Sequence, residues 1–290
     1  MVMSRKFRHP RLRPESGGRI GTRALEVVGV LPAAGQSRRL APLPCSKELL
    51  PVGMAKLPGY EGLRLRVVSH VLLERMAQAG VRQAFVVCRQ GKWDIPAYWG
   101  DGQRVGMDLA YVVIEGSQGP PDTIDRAYPF VKDKVVAFGF PDILFDPPDA
   151  FSKMMTTLVR SRADMVLGLF PAHDTRAMDM VETGADGRVR EVVLKPKSTR
   201  LTDAWVCAVW TPVFTDFLHG FVARVKTGRP GRLIGNRRID PQGDLPVGAV
   251  IAAAVQEGLM VKGVRFPGGR YLDVGTPAAL ASVSQWLGEG

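Results

Sequence analysis

The feature that most constrains the fold is a short apolar run, residues 27–31, which ends abruptly in the small residues of 32–35. The run is rich in β-branched residues and is too short for a typical helix, so it predicts a buried strand. Small residues after a strand let the backbone approach a ligand and point its N–H groups at an anion. Arg38, Arg39 and Lys47 follow, and such cations suit a chain of phosphates. The segment therefore predicts a phosphate-binding loop after the first strand of an α/β fold.

Apolar runs and helical patterns alternate along the rest of the chain. They predict strands at 84–88, 109–114, 135–138, 164–170, 205–210 and 260–266, and helices at 63–79, 124–130, 150–162, 212–225, 248–257 and 277–287. Asp186-Gly187, between the strand-like runs 180–182 and 188–194, is typical of a hairpin turn. Apolar strands separated by helices favour a parallel sheet covered by helices. We therefore predict an α/β fold with a Rossmann-like, mixed but mainly parallel sheet flanked by helices, in a single domain.

The 290 residues divide into two parts of different composition. Residues 1–24 carry seven basic residues and one acidic residue, supply +6 of the net charge of +11, and contain few large apolar side chains. That composition predicts a disordered basic tail. Residues 25–290 are predicted to form the domain, with a substrate-side portion at about 164–245 embedded in it and a flexible loop at 227–243. Because the tail holds most of the excess charge, we expect no specific nucleic-acid partner.

The sequence carries no signal of a membrane or secreted protein. No apolar run approaches the ~20 residues that a transmembrane helix needs, and no apolar segment follows the basic N-terminus as it would in a signal peptide. Cys45, Cys88 and Cys207 are far apart and form no CxxC pair, so neither a disulfide framework nor a zinc site is predicted. His70 is predicted to be an ordinary surface or boundary histidine. We expect a cytoplasmic protein with no membrane partner.

Residues 33–52 resemble the signature of the sugar-phosphate nucleotidylyltransferases, which make NDP-sugars. The family pattern is roughly A-G-G-x-G-T-R-L-x-P and then P-K-x-L-L-P, and this chain has AAGQSRRLAP and then SKELLPV. The resemblance implies a nucleotide-binding loop formed by Ala33, Ala34 and Gly35. It also implies that Arg39 and Lys47 are the two cations that handle the phosphates. The chain departs from the pattern where Ala34 and Ser37 replace glycines and where Ser46 replaces a proline.

Further segments resemble the same family in the same order. Gln118 begins a segment similar to Q-P-x-P-x-G-L-A-x-A, whose Gln reads the edge of the nucleobase, although Thr123 stands in the place of the Gly. Asp142 corresponds to the aspartate of a G-D pair. Residues 271–277 (YLDVGTP) are similar to W-x-D-x-G-T-P, with Asp273 as the carboxylate. The resemblance implies that Asp142 and Asp273 bind Mg²⁺, a cation that prefers hard oxygen ligands.

The acceptor side shows one clear departure from the family. Residues 194–196 (LKP) stand where the family has E-K-P, so the resemblance implies that Lys195 contacts the phosphate of the sugar. Leu194 takes the place of a glutamate that accepts hydrogen bonds from sugar hydroxyls. A leucine cannot accept them. Either a neighbouring side chain supplies the acceptor, or the substrate differs from glucose 1-phosphate, as a heptose or a cyclitol phosphate would.

These observations predict nucleotidyl transfer from an NTP, with dTTP or UTP favoured, to a sugar 1-phosphate, with Mg²⁺ as cofactor. A phosphate monoester is already anionic at neutral pH, so the reaction needs positioning and charge stabilisation more than a general base. An NAD(P)-dependent oxidoreductase is disfavoured because residues 33–38 lack G-x-G-x-x-G. Residues 271–277 argue against a cytidylyltransferase for a polyol phosphate. A non-catalytic NDP-sugar-binding regulatory subunit stays an alternative, and a homo-oligomer is left open.

Overall fold

The computed structural model describes residues 26–57, 60–227, 233–234, 237–238 and 245–288. The basic tail predicted at 1–24 and most of the loop predicted at 227–243 lie outside these residues. Among the residues described, no helix is both long enough and apolar enough to cross a membrane.

The apolar runs locate most of the strands and helices, but four strands between Met165 and Trp210 follow one another without a helix. The helix predicted at 124–130 is wrong, because one helix ends at Asp125 and another begins at Tyr128. The strands are β1 (Val27–Ala33), β2 (Pro51–Lys56), β3 (Leu63–Val67), β4 (Gln83–Arg89), β5 (Asp108–Ile114), β6 (Val135–Gly139), β7 (Ile143–Asp146), β8 (Met165–Pro171), β9 (Met180–Thr183), β10 (Val189–Val193), β11 (Asp203–Trp210), β12 (Leu233–Ile234), β13 (Arg237–Arg238), β14 (Val261–Arg265) and β15 (Arg270–Asp273). The helices are α1 (Ser69–Gln78), α2 (Asp94–Trp99), α3 (Pro120–Asp125), α4 (Tyr128–Val131), α5 (Ala150–Ser161), α6 (Pro212–Lys226), α7 (Val247–Gln256), α8 (Pro277–Ala281) and α9 (Val283–Gly288).

A mixed sheet forms the centre of the described residues. Its strands run in the order β10-β9-β11-β6-β1-β4-β5, and β8 and β14 extend it from β11. β1 is parallel to β4 and to β6, and β4 is parallel to β5. β11 is antiparallel to β6 and β8, and β9 and β10 form the antiparallel hairpin that Asp186-Gly187 predicts. Since the carboxyl ends of β1, β4, β5 and β6 meet at one edge, a ligand site is expected there.

Apolar side chains cover both faces of this sheet. On one face, Phe214 and Leu218 of α6 and the alanines of α7 pack on Val30, Phe138 and other strand residues. On the other face, side chains of α1, α2 and α5 pack on Leu31 and its neighbours. Burial on both faces explains why the strands are apolar along their whole length rather than alternating.

One edge of β11 is shared by two strands. β8 pairs with β11 along its full length, from Asp203 to Trp210. The other edge of β11 must therefore carry both β6 and β9. β6 lies opposite Cys207–Trp210, and Met180 of β9 lies opposite Ala204. β9 thus begins just beyond the point where β6 ends, which places the start of β9 at the edge of the sheet that carries the site.

The helix predicted at 63–79 is wrong in its first six residues. β3, Leu63–Val67, pairs antiparallel with β2, and the helix α1 begins only at Ser69. The sequence Leu-Arg-Leu-Arg-Val alternates with a period of two, which is the pattern of a strand with one exposed face. The prediction extended the helical spacing found after Val67 backwards over this alternation. The predicted end is confirmed, because Gly80 adopts a left-handed φ of 88° just after α1.

The prediction of a surface or boundary position for His70 is also wrong. His70 is 0% exposed, and its ring lies 4.4 Å from that of Trp99 in α2. Its Nδ1 accepts a hydrogen bond of 3.1 Å from the N–H of Val67. Burial lowers the pKa of His70 to about 4. The first turn of α1 faces α2, a contact that helical spacing alone does not reveal.

Candidate active site

The phosphate loop leaves β1 at the centre of the parallel strands, between β4 and β6. Ala33 and Ala34 are buried, whereas Gly35 is exposed. Ser37 adopts a left-handed backbone with a φ of 53°, a conformation that costs a non-glycine residue about 1–2 kcal/mol. The family pattern has glycine at this position, so the chain keeps a glycine-like turn even though it has a serine there.

Two polar side chains that follow β4 fix the segment around Lys47. Asp94 accepts hydrogen bonds from both the N–H and the hydroxyl of Ser46, at 2.6 and 2.8 Å. Lys92 donates to both carboxylate oxygens of Glu48, at 2.9 and 2.8 Å. A proline at position 46 could offer Asp94 neither donor. The replacement of proline by Ser46 is thus matched by a specific partner, and Lys47 is held between two fixed neighbours.

Lys92 also connects this segment to the phosphate loop. Its ammonium group donates to the backbone carbonyl of Ala33 at 2.9 Å. Sequence reasoning missed both Lys92 and Asp94. The available signal was the polar run GKWD directly after a buried strand, where side chains reach the carboxyl edge of the sheet.

A two-stranded ribbon brings the two predicted metal carboxylates together. β15 pairs antiparallel with β7, with Asp273 opposite Ile143, the residue that follows Asp142. The N–H of Val274 donates to the carbonyl of Asp142 at 2.9 Å. The ribbon joins segments that are far apart in the chain, and it explains how Asp142 and Asp273 reach one site.

The two predicted cations lie against these carboxylates. The ammonium group of Lys47 is 2.5 Å from a carboxylate oxygen of Asp142. A Cβ on Gly275 would lie 2.7 Å from Oδ1 of Asp273 and 3.0 Å from Nη2 of Arg39, so only glycine fits between these groups. The structure therefore assembles four of the predicted site residues, namely Arg39, Lys47, Asp142 and Asp273, beside Gly35 of the loop.

The pKa values of the cluster follow from its burial and its charges. Burial alone would lower the pKa of Lys47, but the charge and hydrogen bond of Asp142 outweigh it, so the pKa of Lys47 is raised. Burial and then the negative charge of Asp142 raise the pKa of Asp273, while Lys47 and Arg39 act in the opposite direction. Two carboxylates so close together favour a cation beside them.

The donor set of this cluster fits Mg²⁺. Among the described residues, no group of three or more His, Cys, Asp or Glu side chains could hold a metal ion. Mg²⁺ is commonly held by one or two carboxylates, and phosphate oxygens and water complete its coordination. Asp142 and Asp273 provide such a pair. The residues present are therefore suited to a magnesium ion that arrives with a phosphate ligand.

The loop that carries Gln118 lies elsewhere along the same edge of the sheet. The Gln118 side chain is exposed, while its N–H donates to Oδ2 of Asp122 at 2.9 Å. The hydroxyl of Thr123 donates to that of Ser117 at 2.7 Å. Thr123 therefore braces this loop from within, where the family pattern has a glycine. Because β4 separates β5 from β1, Gln118 and the charged cluster occupy different parts of the edge.

Leu194 and Lys195 follow β10 on the other side of the cluster. Leu194 is buried, and Lys195 is exposed with a left-handed φ of 38°. A lysine in that conformation carries backbone strain of about 1–3 kcal/mol, a feature that clusters at ligand-binding positions. Lys195 is therefore an exposed cation directly after the buried side chain of Leu194.

Fold and cluster together define an α/β protein with cations and carboxylates clustered at the carboxyl edge of its parallel strands. The chain belongs to the family described as "Nucleotidyl transferase", whose sequence profile matches residues 28–289. None of the curated protein sequences compared with the chain matches it.

Solved structures share the fold of the chain. One is a protein from Bacillus anthracis provisionally assigned as a glucose-1-phosphate thymidylyltransferase, in complex with a sucrose; its TM-score is 0.71 at 16% identity, over 90% of this chain and 94% of that chain. Another is a UDP-glucose pyrophosphorylase complexed with UDP-glucose, with a TM-score of 0.70 at 13% identity, over 91% of this chain and 99% of that chain. At such identities the likeness shows the fold, and it confirms the predicted mixed, mainly parallel sheet flanked by helices.

Proposed function

We propose that the protein transfers a nucleotidyl group from an NTP to a sugar 1-phosphate, giving an NDP-sugar and pyrophosphate. The observation that carries the proposal is the assembly of Arg39, Lys47, Asp142 and Asp273 at one place from distant segments of the chain. Membership of the nucleotidyl transferase family supports the reaction class. dTTP and UTP are our favoured donors, since similar structures include proteins named for thymidylyl transfer and for UDP-glucose.

The proposed step forms one phosphorus–oxygen bond and breaks another. A phosphate oxygen of the sugar 1-phosphate attacks the α-phosphorus of the NTP, and the bond from that phosphorus to the β-phosphate oxygen breaks. Pyrophosphate leaves with the bonding electrons. The attacking oxygen is already ionised at neutral pH, so no proton has to be removed from it. The protein must instead bring two anions together and stabilise the charge that spreads over the phosphates.

Each charged residue has a role in this proposal. Arg39 contacts the leaving β- and γ-phosphates, where its planar guanidinium can form two parallel hydrogen bonds. Lys47 lies at the α-phosphate, and in the absence of nucleotide its charge is balanced by Asp142. Mg²⁺ held by Asp142 and Asp273 would neutralise charge on the phosphates when bound. The loop of Ala33, Ala34 and Gly35 offers backbone N–H groups to the nucleotide.

The remaining predicted residues select the two substrates. Gln118 reads the edge of the base with an amide that offers both a donor and an acceptor. Lys195 contacts the phosphate of the acceptor. Because the side chain of Leu194 cannot accept a hydrogen bond from a sugar hydroxyl, the alternative acceptor is a substrate other than glucose 1-phosphate, such as a heptose or cyclitol phosphate. We assign the catalytic unit to residues 25–290, and we propose a cytoplasmic enzyme, in keeping with cysteines that are free among the described residues.

Pyrophosphate release tests the proposal directly. It is measured over a panel of NTPs and sugar 1-phosphates with Mg²⁺, for the unmodified protein, Arg39→Met and the matched control Arg38→Met. Arg38 is exposed and binds Gln36 through a hydrogen bond of 2.7 Å, so its loss should leave turnover within about twofold. Loss of Arg39 should lower turnover about a hundredfold or more, as for other single stabilisers of transition-state charge. NDP-sugar binding without turnover in any combination would instead support the non-catalytic regulatory subunit.

A further inference from the structure

The buried leucine at position 194 raises the question of what binds the sugar on that side. Leu194 is 2% exposed and lies directly before the cation Lys195. A hydroxyl placed against a leucine without a hydrogen-bond partner would lose about ten- to a hundredfold in affinity. An acceptor side chain from a neighbouring element would remove that loss.

The register of the hairpin places a carboxylate beside Leu194. β9 and β10 pair with Met180 opposite Val193, so one residue further the register sets Asp179 opposite Leu194. Residues directly opposite each other in antiparallel strands project their side chains to the same face of the sheet. Asp179 and Leu194 are therefore cross-strand neighbours.

The contacts at Gly248 in the first turn of α7 confirm this placement. A Cβ on Gly248 would lie 2.1 Å from Oδ2 of Asp179 and 2.8 Å from Cδ2 of Leu194. Both side chains thus pack on the same glycine, and the carboxylate fits only because that residue has no side chain. The beginning of a ten-residue helix is also a favourable place for a negative charge.

Asp179 lies at the carboxyl edge of the sheet rather than in the distant part of the hairpin. The pairing of Met180 with Ala204 sets Asp179 opposite Trp205, in line with β6 and about 7 Å past its end at the usual rise of a strand. The ring of Trp205 is 6.0 Å from that of Phe140, two residues before Asp142. The aromatic side chain opposite Asp179 therefore lies close to the segment that carries Asp142.

The residues just before α7 contact the loop assigned to the nucleobase. The N–H of Leu245 donates to the carbonyl of Gln118 at 3.1 Å. The chain from Leu245 to Gly248 thus connects the loop of Gln118 with Asp179. Asp179 is 8% exposed, and its carboxylate packs against the first turn of α7.

We propose that Asp179 accepts a hydrogen bond from a hydroxyl of the acceptor, and that it selects polyhydroxylated substrates in place of the glutamate that Leu194 replaces. This inference rests on the proposed function. An ionised carboxylate has two acceptor oxygens and no donor, so it suits one hydroxyl or a pair of adjacent hydroxyls. The aspartate is one methylene shorter than a glutamate and comes from the opposite strand, so it reaches the substrate from a shifted direction.

Kinetics on acceptors and their monodeoxy counterparts test the role of Asp179. Asp179→Asn keeps the shape of the side chain and removes its charge. With the best acceptor of the panel, we expect kcat/KM for the acceptor to fall about ten- to a hundredfold while KM for the NTP stays within about twofold. With the monodeoxy acceptor that lacks the bound hydroxyl, the variant and the unmodified protein should agree within about threefold. A purely structural carboxylate would lower the rates for all acceptors equally, and that result would overturn the proposal.

A matched control and a substitution that restores a carboxylate at position 194 complete the design. Glu182, an exposed carboxylate on the same strand β9, is changed to Gln and should leave all constants within about twofold. Asp179→Ala should lose selectivity between acceptors. The double variant Asp179→Ala with Leu194→Glu should have a kcat/KM at least about tenfold higher than that of Asp179→Ala alone. The single change Leu194→Glu should instead be harmful, because it sets two carboxylates opposite each other. A gain from Leu194→Glu alone would overturn the proposal.

Binding measurements separate failure of this inference from failure of the proposed function. Calorimetry with the NDP-sugars of the panel should show about tenfold weaker binding to Asp179→Asn, with NDP binding unchanged. If the unmodified protein releases pyrophosphate and Asp179→Asn behaves like it with every acceptor and NDP-sugar, the inference alone is wrong. If the unmodified protein neither turns over nor binds any NDP-sugar, the proposed function itself is wrong.

Discussion

Replacing Lys92 with methionine removes the cation that holds the phosphate loop and the Lys47 segment together. The ammonium group of Lys92 donates to the carbonyl of Ala33 and to both carboxylate oxygens of Glu48, at 2.8–2.9 Å. The Glu48 side chain is 2% exposed and that of Lys92 is 14% exposed. The variant therefore leaves a buried carboxylate without its closest counter-charge. Breaking a buried ion pair from one side typically costs about 3–5 kcal/mol of unfolding free energy.

Two features of the structure place the expected loss near the lower end, at about 3 kcal/mol. The positive charge of Lys47 still attracts Glu48, and a buried carboxyl group can take up a proton instead of staying ionised. In the double variant Lys92→Met with Glu48→Met, no charge is left unpaired. Its stability should return to within about 1 kcal/mol of the unmodified protein, since an apolar pair of similar volume often replaces a buried ion pair without loss.

Equilibrium denaturation in urea, followed by tryptophan fluorescence and by far-UV circular dichroism, measures these differences. Lys153→Met is the control, because Lys153 pairs with Asp149 on the surface, where both side chains are about half exposed; its loss should cost about 0.5 kcal/mol or less. A loss below about 1 kcal/mol for Lys92→Met, or a double variant as unstable as the single one, would refute the reasoning.

The same variant should depend on pH in a defined direction. Burial raises the pKa of Glu48, and Lys92 opposes that shift, so removing Lys92 raises the pKa of Glu48 further. A carboxyl group whose pKa is higher in the folded protein than in the unfolded chain loses stability as the pH rises through the folded value. The deficit of Lys92→Met should therefore be smaller at pH about 5 than at pH about 8. An equal deficit at both pH values would show that Glu48 does not titrate in this window.

Three further outcomes follow from the site and the chain. Asp273→Ala should lower kcat by two or more orders of magnitude in Mg²⁺ while circular dichroism stays native, because one of the two metal carboxylates is lost; near-native turnover would remove Asp273 from the site. Gly248→Ala should lower the free energy of unfolding by about 1–3 kcal/mol, measured by thermal denaturation, because its Cβ would overlap Asp179. The control Gly268→Ala should leave that free energy unchanged, because nothing lies within 4 Å of its Cβ. Deleting residues 1–23 should change neither the melting temperature nor turnover, and a marked drop in either would show that the basic tail packs on the domain.

The sequence predicted much of the fold and all four residues of the charged cluster, although their roles stay a prediction. The run before Gly35 and the apolar strands after it are local patterns, and local patterns identify buried strands well. Asp142 and Asp273 were predicted one by one from resembling segments. Their contact was not predictable from spacing, because it depends on the pairing of β15 with β7 and thus on the whole fold.

The features that sequence reasoning missed depend on contacts between distant segments. Lys92 and Asp94 look like ordinary surface residues after a strand until the structure sets them beside residues 46–48. The role proposed for Asp179 follows from the register of β9 against β10, because a register shifted by one residue would turn its side chain to the other face. The alternation at 63–67 was present in the sequence, but the stronger helical spacing after it concealed the strand.

The ribbon of β7 and β15 also has a consequence for synthesis of the protein. Asp142 and Asp273 are 131 residues apart in the chain, so at about 5–20 residues per second a ribosome needs roughly 7–26 s to make the second after the first. During that interval Lys47 and Asp142 are already present, but the second carboxylate does not yet exist. If the proposed function holds, the growing chain is inactive until the segment of Asp273 has been made. Loss of only the last twenty residues, which include Asp273 and Gly275, would leave the strands of the central sheet but remove one of the two proposed metal carboxylates.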